Sequence, residues 1–131
     1  QGSPLRLDRA ALELLPQVEV RQRDAKSGAH VYTGPTVRSL LTRLGIPEGE
    51  PLRGNNLKIA VLAEGRDGYK VVFAVAELDP SFSKRVTIVA PRGDGKPMDV
   101  IQGPLRMAVE GELRPARWVR QVARLRIVMV D

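Results

Sequence analysis

The reading that decides the fold comes from LKIAVLA (57–63) and YKVVFAV (69–75), two apolar runs joined by EGRDG (64–68). Each run has the length of a strand. Asp67-Gly68 between them supplies the positive φ that a tight hairpin turn demands. The segment therefore predicts an antiparallel hairpin, and the rest of the chain is read outward from it. Upstream, QVEVRQR (17–23) alternates apolar and polar residues as a half-buried strand does, and residues 30–33 make a second short strand. Downstream, ELDPSF (77–82) reads as a turn or one helical turn. RVTIVA (85–90), PLRMAV (104–109) and RLRIVMV (124–130) read as further strands, with a glycine-rich turn at RGDGKP (92–97).

Two short helices complete the pattern. Asp8 is placed to cap a helix over 9–15, which Pro16 closes. Pro35 suits the first turn of a second helix running to Leu44, with Val37, Leu40, Leu41 and Leu44 on one face and Gly45 and Pro47 ending it. The expectation is a mixed, β-rich α+β single domain over 4–131. Gln1-Gly2-Ser3 looks like the remnant of a cleaved affinity tag and is left out of the fold.

Composition narrows the chemistry. A chain of 131 residues and 14.4 kDa builds one core rather than two. The absence of cysteine removes disulfides, thiolate nucleophiles and Cys-ligated zinc or iron–sulfur centres. A single histidine, His30, removes any two-histidine mechanism. No apolar run approaches the roughly 18 residues of a membrane span. Sixteen of the 21 basic residues are arginines against 15 acidic residues, a net charge of +6. Arginine's planar fork suits phosphate and carboxylate, so an anionic ligand or partner is expected. Nucleic acid is not: the five aromatics form no stacking platform, and no nucleic-acid motif is present.

No catalytic set assembles from the sequence. RGDGK (92–96) lacks the phosphate-loop pattern, and Glu48/Glu50 and Glu110/Glu112 lie in solvated turns. Ser39 has no histidine partner in view, and His30 reads as a hydrogen-bonded strand residue. RPARWVRQVARLR (114–126) is different, because it concentrates guanidinium groups beside the single tryptophan. If the stretch is helical, Arg114, Arg117, Arg120 and Arg124 share a side. If it turns to strand near Gln121, Arg117 and Arg120 stand at its edge. Either it is a solvated basic face over a buried Trp118, or it is an anion pocket.

Three blocks in order resemble the sulfite-oxidase-type molybdopterin-binding domain family. They are YTGPTVRSLLTRLGI (32–46), PRGDGKPM (91–98) with GPLRMAVEGE (103–112), and ARWVRQVARLRIV (116–128). GYKVVFAVAELDP (68–80) is similar to a segment of the family's small stand-alone bacterial members. The resemblance implies the family's α+β fold, a molybdopterin cofactor and a periplasmic location, with an export signal removed. It also implies that Arg117 and Arg120 lie near the pterin phosphate, with Trp118 as a wall, and that Arg106 is structural. The chain departs from the family where a cysteine would ligate molybdenum, around Arg21 to Asp24, and Glu110 replaces a proline. A soft metal loses its protein sulfur there. The expected function is a non-catalytic module that binds an anionic small molecule or a protein partner. The alternative is a molybdopterin oxidoreductase with no protein thiolate on the metal.

Overall fold

In a computed structural model, residues 5–130 are described, and the Gln1-Gly2-Ser3 segment lies outside them. The expected central hairpin forms, shifted slightly: β4 is Ile59–Gly65 and β5 is Lys70–Ala74, with Val61 opposite Phe73. The last strand, β10 (Val122–Met129), pairs with the far side of β4, and β1 (Leu5–Arg6) pairs with β10. The first sheet thus has the order β1-β10-β4-β5. A second sheet has the order β2-β3-β7-β8, built from β2 (Val18–Asp24), β3 (Gly28–Gly34), β7 (Arg92–Gly93) and β8 (Lys96–Pro97). Between the two comes the pair β6 (Thr87–Ala90) and β9 (Arg106–Val109). Every pairing is antiparallel.

The α+β expectation, and with it the fold of the resembled family, is corrected by this architecture. The described chain is 39% strand and 19% helical, and its helices are short. α1 (Arg9–Glu13) has five residues and α2 (Val37–Arg43) has seven. The remaining helical residues are 3-10 turns at Gly54–Lys58, Val75–Leu78 and Pro115–Arg117. Helices of this length do not persist on propensity alone and are held by packing. α2 is fixed by Thr36, not Pro35: the Thr36 hydroxyl accepts from the Ser39 amide at 3.1 Å, and Val37, Leu40 and Leu41 are buried. Leu44, expected on that face, is exposed. In 114–126 the helical option fails for a local reason. Gln121 takes φ +50, and the Met107 amide bonds the Val119 carbonyl at 2.9 Å while the Val122 amide bonds Leu105 at 3.0 Å. The backbone donors and acceptors of this segment are thus used against β9.

The core is continuous across the sheets, with Val20, Val61, Phe73, Ile88, Val89, Met107, Val119 and Leu125 at or near complete burial. Gly34 is what lets β3 run into β6. A Cβ there would sit 2.0 Å from the Val89 carbonyl oxygen, a distance no side chain tolerates. Charged groups inside the first sheet are satisfied in place. The buried Glu64 carboxylate accepts from Arg124 at 3.0 Å and Arg126 at 3.1 Å, bonds that hold its pKa below the ordinary value. No described helix is long and apolar enough to cross a membrane.

Candidate functional site

Three loops meet over β9. They are the tip of the β2–β3 hairpin, the β4–β5 turn, and the segment that follows the Pro115–Arg117 turn. Backbone bonds fix the meeting. The Arg66 amide bonds the Gln121 carbonyl at 3.0 Å, and the Gln121 amide bonds the Gln102 carbonyl at 2.8 Å. The Gln121 side chain holds the Val100 and Ile101 carbonyls at 2.8 and 3.2 Å. The result is a cleft of about 320 Å³ whose lining includes Gln22, Asp24, Asp67, Arg106, Trp118 and Arg120.

Arg106 lies at the bottom of this cleft, 6% exposed. Its guanidinium is 4.9 Å from the ring centre of Tyr32 and 5.3 Å from that of Trp118, and the two rings meet edge to face at 5.6 Å. Such cation–ring contacts favour the charge over burial in pure hydrocarbon. Nη1 donates to the Tyr32 hydroxyl at 3.0 Å and to Gln102 Oε1. Burial lowers the pKa of Arg106, and the nearby Arg120 charge adds to the effect. Burial likewise raises the Tyr32 phenol, so it stays a neutral hydroxyl. No carboxylate stands within ion-pair distance of Arg106 among the described residues. Its Nε and the Trp118 Nε1 are both buried with no hydrogen-bond partner.

That combination is rare. Buried charges in proteins are normally paired, and a buried donor left without an acceptor costs about 1–3 kcal/mol. Here a buried cation, two orphan N–H donors and the exposed Arg120 border one cleft. An acceptor bearing negative charge completes all of them.

The residues singled out from the sequence are thus divided. Trp118 and Arg120 reach the cleft. Arg117 turns the other way, over the Phe73 ring at 4.4 Å. It donates to Glu77 Oε1 and Glu112 Oε1, each at 2.8 Å, and to the Val72 carbonyl at 3.0 Å. Those carboxylates, Glu77 first, raise its pKa further and fix it as a cation already neutralised. Arg106 was read as structural, and no local pattern distinguishes it. PLRMAV reads as a short apolar strand with one arginine in it, and its hydrogen-bond partner Tyr32 is 74 residues away. No protein-family model matches the chain, and no curated protein matches it.

Proposed function

We propose that the protein is a binding module for a small oxyanion, held in the cleft between the β2–β3 tip and the segment around Trp118. The observation that carries this reading is the buried Arg106 guanidinium with no described carboxylate in ion-pair contact, beside an unpartnered indole N–H. Arg106 supplies a charge-assisted donor, Trp118 a neutral donor, and Arg120 an exposed cation on the cleft lining. Asp24 lines the same cleft, and the Lys26 amide bond holds its carboxyl below the ordinary pKa, so it accepts only. A ligand that carries a proton of its own, such as hydrogen phosphate or a hydroxy acid, therefore gains over a bare anion such as sulfate.

The residues do not fit a molybdenum pyranopterin. Arg21 to Asp24 stand where the resembled family places its thiolate, the chain has no cysteine, and Arg117 is committed to two carboxylates. No chemistry through that cofactor is derived. The resemblance of the three sequence blocks stays a proposal about descent, and a periplasmic location goes with it.

Thermal unfolding at pH 7 with added phosphate tests the reading. A ligand that binds only the folded chain at 100 times its Kd stabilises by about 2.7 kcal/mol. Phosphate is expected to raise Tm in a saturable way, more than sulfate at equal ionic strength. Equal, unsaturating shifts from both salts would indicate general salt effects and contradict the proposal.

A further inference from the structure

A second set of side chains lies beside the cleft. Ser27 Oγ is 2.7 Å from His30 Nε2, and His30 Nδ1 is 2.7 Å from Asp94 Oδ2. Asp94 also accepts from the Val31 amide at 2.8 Å, and its own amide donates to the Val31 carbonyl at 2.7 Å. These bonds lock the β7–β8 turn against β3. Asp94 holds this position at φ +53, a backbone conformation unusual for a residue with a side chain. The His30 bond, then the Val31 amide, keeps the Asp94 carboxyl below its ordinary pKa, so it is an acceptor only. Nδ1 is therefore the nitrogen that donates to Asp94, and Nε2 is the one that faces the Ser27 hydroxyl. Ser27 is exposed on the hairpin turn. It borders a cavity of about 460 Å³ with His30, Tyr32, Pro97, Met98, Lys96 and Arg120 among its walls.

We propose that Ser27, His30 and Asp94 form a nucleophile–base–orienter set that hydrolyses short-chain acyl esters. Ser27 Oγ attacks the ester carbonyl carbon while its proton passes to His30 Nε2. The C–O bond to the alcohol then breaks, and the alcohol leaves with that proton. Water, deprotonated by the same nitrogen, attacks the acyl-serine and releases the carboxylic acid with Ser27 restored. Asp94 keeps the imidazole in the required tautomer throughout. Lys96 and Arg120 supply positive charge toward the oxyanion of each tetrahedral intermediate. Tyr32, Pro97 and Met98 give the acyl chain a small apolar wall that suits two to four carbons. Asp24 also accepts from the Ser27 hydroxyl and faces His30, so it shares that hydroxyl with the imidazole.

The test pairs a fluorophosphonate probe with 4-nitrophenyl acetate and butyrate, on the wild-type chain and on Ser27→Ala and His30→Gln. The expected result is probe adduct on the peptide carrying Ser27, and nitrophenolate release that falls about 100-fold in each variant. Equal labelling of wild type and Ser27→Ala, or ester release within 2-fold of wild type in Ser27→Ala, would overturn the assignment. Trp118→Phe separates this site from the oxyanion site, since Trp118 is not among this cavity's walls: labelling at Ser27 is expected to survive there while phosphate binding weakens.

Discussion

Arg117 and Arg106 are both held against aromatic rings, Arg117 over Phe73 at 4.4 Å and Arg106 between Tyr32 and Trp118. Arg117 is the more exposed of the two, and it has two carboxylates and a carbonyl within hydrogen-bond reach. Arg106 is the more buried, and it has a phenol and an amide oxygen but, among the described residues, no carboxylate within ion-pair distance. The difference teaches where to look for a ligand in an arginine-rich chain. A guanidinium with its charge already matched holds the fold together. One without a match, enclosed with a second unsatisfied donor, is where the proposed ligand is placed.

The sharpest way to break the comparison is to remove Arg106. Arg106→Met is expected to weaken phosphate binding about 30-fold, near 2 kcal/mol, as measured by calorimetry. Its folding stability should stay level or rise, because replacing an unmatched buried charge by an apolar side chain of similar length removes a desolvation penalty. Arg117→Ala should do the reverse. Urea unfolding is expected to show a loss of about 1–2 kcal/mol, reduced from a fully buried pair because Glu77 is partly solvated. Phosphate affinity should stay within about 2-fold. If the two variants exchanged these profiles, the assignment of roles would be wrong.

Two smaller effects sharpen the contrast. Trp118→Phe removes one neutral donor and keeps the aromatic wall, so calorimetry should show a loss of about 3-fold to 10-fold in phosphate affinity. The acid limb of stability is subtler. Burial alone would raise the Glu77 carboxyl, but the Arg117 bond and the Ala74 amide outweigh it and leave its pKa lowered from 4.5. Its contribution is full above that value and is lost as pH falls below 4.5 through the lower folded value. Arg117→Ala should therefore make the loss of stability below pH 4.5 shallower, the lowered Asp24, Glu64, Asp79 and Asp94 carboxyls keeping the rest of it, while Arg106→Met leaves it unchanged.

Much of the fold is legible from local pattern. The β4–β5 hairpin follows from Asp67-Gly68 between apolar runs, and β2 follows from its alternation. The sequence pattern already carries more strand than helix and leaves 114–126 open between the two; the α+β reading fails because α1 and α2 reach only five and seven residues. At 119–122 the chain bonds β9, and Gln121 takes a positive φ that no helix contains. The site was half legible. Trp118 and Arg120 stood out by concentration of charge around one indole, and both border the cleft. Arg106 and the Ser27–His30–Asp94 set did not, because each depends on contacts between residues 64 or more apart in the chain. Composition cannot tell a matched arginine from an unmatched one, since Glu77 is 40 residues from Arg117.

Trp118 is the only tryptophan, and its orphan N–H borders the cleft, so its own fluorescence reports directly on the central claim. The measurement is a phosphate titration at pH 7 and constant ionic strength, run in parallel on the wild-type chain and Arg106→Met. The account predicts a saturable change in Trp118 emission for the wild-type chain and none over the same range for Arg106→Met. A flat wild-type titration, or the same saturable change in both proteins, would contradict it.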